Sequence, residues 1–491
     1  MMTLKQRRAG VLLHPTSLPG DYAGGDIGHH AFRFIDFLSD SGCRIWQMLP
    51  IGPTHIDGSP YQCLSVHAVN PLMISLEWLV DKGWLDMSSI QIKKINVQFR
   101  YACLDMAYEN FITSADQSWI EKFDRFIKQK SSWLDDYSLF MAIKESQHCA
   151  SWHEWPEPLA ERDPEALAQA REDFSEQIRQ TQFEQFIFFQ QWDELREYAL
   201  SKNIQMFGDM PFYVSHDSSD VWAQREAFLL DSSGAATYVA GVPPDVFSAT
   251  GQRWGNPLYD WQAMQQDDFS WWVERFKTQL ELFDLLRVDH FRGFEACWHI
   301  ASTEETAING KWIKTPGREL LQTLNEQLET LPLIAEDLGL ITPAVIELRK
   351  AFSLPGMKIL QFAFDGDNNN PYLPHNHEPE SVVFTGTHDN DTTLGWYQDL
   401  NLKDKRSLHD YLGVKLHSML DMPWVMNRMA LASVASMCIL PMQDVLSQDS
   451  SQRMNMPGTT EGNWTWRFDW QKLWPGLSSD LRTLNQIYGR I

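Results

Sequence analysis

The stretch LFDLLRVDH, residues 282–290, is a short apolar run that ends in Arg287, Asp289 and His290. Seven further runs share its near-continuous apolar character: AGVLLHP (9–15), CRIWQMLP (43–50), IQMFGDM (204–210), LPLIAEDLG (331–339), MKILQFAF (357–364), SVVFTGTHD (381–389) and CILPMQDVL (438–446). Such runs are typical of strands buried on both faces, as in a parallel sheet. Helix-compatible stretches such as PAVIELRKAF separate most of them. Eight such units predict an α/β fold, a (β/α)8 TIM barrel.

The spacing of the runs predicts where the barrel is interrupted. About 150 residues separate the second run from the third, and their amphipathic pattern predicts a mainly helical insertion after strand 2. The Gly/Pro-rich segment YVAGVPPDVFSATGQRWGNPLYDW predicts an ordered, loop-rich insertion after strand 3. After the last run only about 45 residues remain, too few for a C-terminal β-sandwich domain. The expected units are 1–73 (strands 1 and 2), 74–200 (helical insertion), 201–210 (strand 3), 211–280 (insertion with a substrate-covering loop) and 281–491 (strands 4–8 and closing helices).

Composition argues against several classes of partner. The chain has 65 acidic and 41 basic residues, a net charge of −24, and no Lys/Arg-rich run. A nucleic acid or an anionic membrane surface would be repelled, so neither is expected as a partner. The first residues, MMTLKQRRAG, lack the apolar stretch of a signal peptide, and six scattered cysteines show no CxxC spacing. We therefore expect a cytoplasmic protein with reduced cysteines.

Three acidic residues follow the fourth, fifth and seventh runs: Asp289, Glu336 and Asp389. Because catalytic groups of a TIM barrel sit at the C-terminal strand ends, the three can converge on one bond. Cleavage of a glycosidic bond with retention needs a carboxylate nucleophile and a carboxylic acid, and a third group can hold the sugar. Arg287 shares a strand face with Asp289 and would keep it ionised, while the apolar run before Glu336 would raise its pKa. Taken singly, each acid could instead cap a helix or form an Asx turn.

Other features are open to more than one interpretation. Phe247 and Trp254 precede the fourth run and could cover a groove, although they could equally be a hydrophobic plug. The cluster His375, His377 and Glu378 resembles a metal site but lies in a polar, loop-like segment. No P-loop, GxGxxG, HExxH or GxSxG pattern occurs. We predict neither a cofactor nor a bound metal.

The chain resembles the 4-alpha-glucanotransferases, also called amylomaltases or disproportionating enzymes, a branch of the alpha-amylase clan. The resemblance runs nearly end to end and rests on GVLLHPTSLPG, WQMLPIGPT, SPYQ, GDMPFYV, GVPPDVFSATGQRWGNPLY, RVDHFRGF, AEDLG, GTHDNDTT, LPMQDVL and RMNMPGTTEGNW. The chain departs from the clan in two places. MPFYV follows Asp209 where the clan usually has Asn-His, which weakens any expectation of the amylase calcium site. Val246 stands before Phe247 where some members have an aromatic residue.

The resemblance implies a role for each acid: Asp289 as nucleophile, Glu336 as general acid/base and Asp389 as transition-state stabiliser. It also implies Arg287 and His388 beside the reacting sugar, with Tyr61 and Asp209 nearby. The other predicted substrate-binding residues are Phe247, Trp254 and Asn463. The implied reaction transfers part of an alpha-1,4-glucan or maltooligosaccharide to another glucan, or to glucose, through a covalent glucosyl-enzyme. A retaining alpha-amylase-like hydrolase and a noncatalytic glucan-binding protein remain as alternatives.

Overall fold

The computed structural model describes residues 6–20, 24–90, 96–244, 248–413 and 416–491, and eight of its strands close into a parallel barrel. Every predicted run contributes one barrel strand, so the (β/α)8 prediction is confirmed. The described residues contain these strands: β1 Arg8–Leu12, β2 Ile45–Gln47, β3 Gln205–Met210, β4 Tyr238–Val242, β5 Gln252–Pro257, β6 Leu285–Val288, β7 Ala296–Ala301, β8 Lys311–Lys314, β9 Leu333–Ala335, β10 Gly356–Ile359, β11 Ser381–Phe384 and β12 Met437–Pro441.

The barrel runs in the order β1-β2-β3-β6-β9-β10-β11-β12, and β12 pairs with β1 to close it. Its strands are buried almost throughout, which explains their apolar runs. Close packing limits side-chain size at some positions. A Cβ on Gly10 of β1, for example, would lie 2.5 Å from the Ile45 carbonyl oxygen, so only glycine fits there without a shift.

Helices occupy most crossovers and the insertion after β2. The described residues form α1 His29–Asp40, α2 Leu76–Asp81, α3 Met87–Ile90, α4 Val97–Ser114, α5 Gln117–Ser146, α6 Glu157–Ala160, α7 Pro164–Asp173, α8 Ser175–Ser201, α9 Ser219–Ala223, α10 Trp261–Gln266, α11 Ser270–Leu282, α12 Gly317–Gln327, α13 Pro343–Ala351, α14 Thr393–Asp399, α15 Leu402–Leu412, α16 Met422–Ala432, α17 Met442–Val445 and α18 Leu477–Ile487. Helices α2 to α8 make up the predicted helical insertion. The crossover from β10 to β11 has only two short 3-10 turns, Leu360–Phe362 and Pro374–Asn376.

A second sheet lies beside the barrel, in the order β5-β4-β7-β8, and its pairings are antiparallel. The Gly/Pro-rich segment, interpreted above as an ordered loop, therefore contains the hairpin of β4 and β5 as well as loops. The partner hairpin of β7 and β8 follows the fourth barrel strand, so a boundary at residue 280 divides this sheet. Its strands are short and partly exposed, and no apolar run in the sequence predicts them for that reason.

The end of the chain packs back on the start. Helix α18 lies against α1, and the Asn485 side chain donates a hydrogen bond to the Ser41 carbonyl at 2.9 Å. The Arg490 guanidinium donates to the carbonyl oxygens of Leu431 and Ser433 at 2.7 and 2.9 Å. Within the described ranges, no helix combines the length and the apolar character needed to cross a bilayer.

Candidate active site

The three predicted carboxylates lie at the C-terminal ends of their barrel strands and line one open cleft. Asp289 directly follows β6, Glu336 directly follows β9, and Asp389 lies in the loop after β11. The cleft encloses about 1780 Å³, open solvent included. It is bounded on one side by the second sheet and on another by the segment around residues 455–464. The three carboxylates therefore share one cleft, as the sequence predicted.

Arg287 organises the floor of the cleft. Its Nη1 donates to both carboxylate oxygens of Asp209 at 2.7 Å, and its Nη2 donates to Oδ1 of Asp289 at 2.9 Å. Asp209 and Arg287 are Cα partners on β3 and β6, which places them side by side. Burial lowers the pKa of Arg287, but the two aspartates outweigh burial and hold it well above its usual value. The guanidinium therefore stays charged and orients Asp289.

Only one carboxylate oxygen of Asp289, Oδ1, accepts a hydrogen bond from Arg287. About a third of its side chain is exposed, and that exposed part faces the cleft. A carboxylate held through one oxygen and open through the other is oriented for attack on a carbon in the cleft.

Glu336 is held by the backbone on both oxygens. The amide of His290 donates to Oε2 at 2.8 Å, and the amide of Leu338 donates to Oε1 at 3.1 Å. His290 adopts φ +47°, a left-handed conformation that turns its amide toward the acid. Burial raises the pKa of Glu336 to about 8, with Arg287 opposing and Asp289 adding to the shift. A carboxyl protonated near neutral pH can act as a general acid.

Asp389 is kept ionised by its neighbours. Its Oδ1 accepts a 2.7 Å hydrogen bond from the Asn455 amide and lies 3.3 Å from Nε2 of His388. Burial raises the pKa of Asp389, but attraction to His388 and the hydrogen bonds from His388 and Asn455 hold it below the usual range. A charged carboxylate so placed can accept hydrogen bonds from sugar hydroxyls.

Tyr61 joins the predicted polar residues to one another. Its hydroxyl donates to Oδ2 of Asp209 at 2.9 Å and lies 3.4 Å from Nδ1 of His388. The Tyr61 and His388 rings stack with centroids 4.9 Å apart. Tyr61 and His388 thus form one wall of the cleft, and the buried Asp209 holds Tyr61 from behind.

Trp254 lies on β5 of the second sheet and lines the cleft. Its indole contacts the His290 ring edge-on, with centroids 5.0 Å apart, and lies 5.9 Å from the Tyr213 ring. Its Nε1 donates to the Gln252 side chain. Trp254 is therefore adjacent to the residue that follows Asp289. Phe247, the other predicted covering residue, lies outside the described residues.

Asn463 has a different environment from the other predicted residues. Its side chain accepts from the Met456 amide at 2.9 Å and donates to the Thr459 carbonyl at 2.9 Å, which ties its own segment together. It lines a neighbouring cavity rather than the cleft. Asn455, from the same RMNMPGTTEGNW motif, contacts Asp389 directly and was missed, because no spacing in the sequence distinguishes the two asparagines.

The three residues that resemble a metal site, His375, His377 and Glu378, each have another partner. The His377 ring nitrogens lie 2.6 Å from the Ser433 hydroxyl and 2.8 Å from the Tyr372 carbonyl oxygen. His375 contacts the Tyr411 hydroxyl at 3.0 Å, and Glu378 pairs with Lys350 at 3.2 Å. Across the described ranges, no group of three or more His, Cys, Asp or Glu side chains is arranged to hold a metal ion.

Sequence comparisons connect this geometry to known proteins. A family model described as 4-alpha-glucanotransferase matches residues 13–472. A 4-alpha-glucanotransferase of Synechocystis sp. is 45% identical, and one of Thermus thermophilus is 44% identical, each over 99% of both chains. The chloroplastic/amyloplastic 4-alpha-glucanotransferase of Solanum tuberosum is 43% identical over 99% of this chain and 87% of the relative.

Solved structures agree on the fold. The amylomaltase from Streptococcus agalactiae, solved in complex with acarbose, superposes with a TM-score of 0.94 and is 37% identical, covering 99% of this chain and 100% of that one. The amylomaltase from Corynebacterium glutamicum gives a TM-score of 0.79 at 18% identity, over 99% of this chain and 75% of that one. The second likeness extends to the fold alone.

Proposed function

The chain belongs to the 4-alpha-glucanotransferase family, and from that premise we propose that Asp289, Glu336 and Asp389 carry out the transfer in the cleft described above. The substrates are alpha-1,4-glucans and maltooligosaccharides, with glucose as the smallest acceptor. The observation that carries the proposal is the contrast between two neighbouring carboxyls. Asp289 is bonded to the Arg287 guanidinium, whereas burial raises the pKa of Glu336 to about 8. A carboxyl that burial keeps protonated, beside a carboxyl that is bonded to a guanidinium, suits a retaining reaction.

In the first step, a carboxylate oxygen of Asp289 forms a bond to the anomeric carbon of the donor. The bond between that carbon and the departing oxygen breaks, and Glu336 gives its proton to that oxygen. Asp389, His388 and Tyr61 surround the reacting sugar and accept or donate its hydroxyl hydrogen bonds. The buried Asp209 accepts hydrogen bonds from Tyr61 and Arg287 and holds both in place. Positive charge that develops on the sugar in the transition state is stabilised by the ionised Asp389.

In the second step, Glu336 is an anion and accepts the proton of the acceptor 4-hydroxyl. The acceptor oxygen bonds to the anomeric carbon as the ester bond to Asp289 breaks, so both carboxyls return to their starting states. Water competes at this point, and its success would make the protein a hydrolase. Transfer requires the acceptor to be positioned and water to be excluded.

Asp289→Asn tests the nucleophile, because the amide keeps the shape but forms no ester. We expect release of glucose from maltotriose to fall by a factor on the order of 10⁴, with an unchanged unfolding midpoint. The matched control is Asp399→Asn, an exposed aspartate at the end of α14, which should retain full activity. A folded Asp289→Asn protein with near-wild-type turnover would remove Asp289 from the mechanism.

A second measurement distinguishes transferase from hydrolase. With maltotriose as the sole substrate, transfer yields longer and shorter oligosaccharides at a constant number of reducing ends. Hydrolysis raises that number with every turnover. A wild-type protein that mainly creates new reducing ends would favour the hydrolase, and one that does neither would favour a noncatalytic glucan-binding protein.

A further inference from the structure

One arginine behind the cleft connects the two chain segments that meet at Asp389. The Asp389 carboxylate lies in the loop after β11, and the Asn455 amide that donates to it lies 66 residues further along the chain. Among the described residues, the cleft lining includes Asp389 and Asn455 but not Arg453. Arg453 instead lines a small cavity behind the loop that carries Asp389. A glucan in the cleft would therefore contact Asp389 and Asn455 without touching Arg453.

All three nitrogens of the Arg453 guanidinium have partners. Nη2 donates to the carbonyl oxygen of Asp389 at 3.0 Å, and Nε donates to the carbonyl oxygen of Asn455 at 3.2 Å. Nη1 lies 3.8 Å from Oδ2 of Asp391, which belongs to the same loop as Asp389. One planar fork therefore holds the backbones of the two residues whose side chains meet in the cleft.

Asp391 is itself held in place, so it gives Arg453 a defined anchor. Its Oδ2 accepts a 2.7 Å hydrogen bond from the Ser450 hydroxyl, and its Oδ1 accepts one of 2.7 Å from the Thr392 amide. The Arg453 side chain is 21% exposed and that of Asp391 is 15% exposed, so water and salt screen this ion pair only in part. The carboxylate of Asp391 thus orients the guanidinium toward the two carbonyl oxygens.

The contact between Asn455 and Asp389 depends on how closely the two backbones approach. An asparagine side chain is short, so a shift of about 1 Å between the segments would remove the 2.7 Å hydrogen bond. Close packing does not hold Asp389 in place, because 48% of its side chain is exposed. Arg453 supplies a connection between the backbones that this side-chain contact requires.

We propose that Arg453, oriented by Asp391, is a positioning residue for the reaction. It holds the two segments at the distance at which the Asn455 amide reaches the Asp389 carboxylate. Asp389 stabilises positive charge that develops on the sugar in the transition state, so a misplaced Asp389 slows turnover more than it weakens substrate binding. This inference rests on the role proposed above for Asp389.

The test compares single variants with a double variant, using maltotriose as substrate. The proteins are wild type, Arg453→Met, Arg453→Lys, Asn455→Ala and the double variant Arg453→Met with Asn455→Ala. For each protein kcat, KM and the unfolding midpoint are measured. Arg482→Met is the matched control, because Arg482 on α18 also donates to two backbone carbonyl oxygens, those of Ser39 and Asp40, but lies outside the cleft lining.

We expect Arg453→Met to lower kcat about tenfold with little change in KM, because two hydrogen bonds that connect the segments are lost. Arg453→Lys should regain little of this kcat, since an ammonium group does not reach two carbonyl oxygens as a planar fork does. The double variant should be no slower than Asn455→Ala alone, because that substitution has already removed the contact through which Arg453 acts. Arg482→Met should leave kcat and KM unchanged.

Three outcomes would overturn the inference. A wild-type kcat in folded Arg453→Met would mean that the fork is dispensable, and a raised KM at unchanged kcat would mean that it only shapes the cleft wall. Losses that multiply in the double variant would mean that Arg453 acts independently of Asn455. If Arg453→Met fails to fold, Asp391→Asn decides the matter, since it should lower kcat in the wild-type background but not in Asn455→Ala. Failure of the proposed function would look different, because wild type itself would then not turn over maltotriose.

Discussion

Glu336→Gln should change the stability of this protein in a direction that depends on pH. The pKa of Glu336 lies at about 8 in the folded state, against 4.5 for the ordinary side chain. Below pH 4.5 the carboxyl is protonated whether the chain is folded or not, so it contributes nothing to the pH dependence. Between 4.5 and 8 only the unfolded chain loses the proton, and stability falls as pH rises. Above pH 8 the carboxyl loses its proton in both states, and the free-energy penalty for burying its charge is constant.

The size of the penalty follows from the two pKa values. Their difference corresponds to about 5 kcal/mol, and we expect about half of this because Glu336 is partly open to the cleft. Glutamine removes the penalty but accepts only one of the two backbone hydrogen bonds from His290 and Leu338, a loss of about 1 kcal/mol. Glu336→Gln should thus be about 1 kcal/mol less stable than wild type at pH 4 and about 1 to 2 kcal/mol more stable at pH 9.

Urea unfolding of both proteins at pH 4, 6, 8 and 9 measures this difference. Glu347→Gln, an exposed glutamate on α13 without a hydrogen-bond partner among the described residues, is the matched control and should show no such trend. The reasoning is refuted if the stability difference between Glu336→Gln and wild type is the same at every pH. It is also refuted if the stability of the variant relative to wild type increases as pH falls, because that pH dependence is expected when the folded-state pKa of the carboxyl is lowered.

Three further predictions concern the cleft. Asn455→Ala removes the 2.7 Å hydrogen bond to Asp389 and should lower kcat on maltotriose by about 10- to 100-fold, the value of one bond to a charged group; a wild-type kcat would show that the contact is dispensable. Trp254→Ala should lower transfer more than hydrolysis, because the indole can stack on an acceptor sugar and exclude water; an unchanged ratio of redistributed products to new reducing ends would return Trp254 to a purely structural role. EDTA treatment should leave activity intact, since His375, His377 and Glu378 are already hydrogen-bonded or ion-paired; loss of activity restored by one added metal would contradict this.

The barrel could be predicted from the sequence because strands that are buried on both faces consist mainly of apolar residues. Each barrel strand overlaps an apolar run, although most runs extend past the strand; LFDLLRVDH contains only Leu285–Val288. The second sheet escaped prediction for the opposite reason. Its strand β8, Lys311–Lys314, is mostly exposed. Its residues therefore need not be apolar and form no apolar run that would predict a strand.

The site was predictable where a residue's place on a strand decides its neighbours. Arg287 and Asp289 are two residues apart and therefore project to the same face, and Nη2 of Arg287 lies 2.9 Å from Oδ1 of Asp289. The contact between Asn455 and Asp389 depends instead on how two loops meet, which no local pattern encodes. The hydrogen bond from the His290 amide to Glu336 is a similar case, because it joins the ends of two strands that lie 46 residues apart in the sequence.

Arg287 sets the charge balance around Asp289. Arg287 contacts both Asp209 and Asp289, so one positive charge compensates two carboxylates. Asp389 contacts His388 and Asn455, and attraction to Arg287 adds to the lowering of its pKa that these two residues cause. Glu336 accepts hydrogen bonds from two backbone amides, and burial outweighs the opposing attraction of Arg287 and raises the pKa of Glu336 to about 8. The fourth carboxyl therefore keeps its proton because burial disfavours its charged form, and this general acid lies beside a carboxylate that is bonded to a guanidinium.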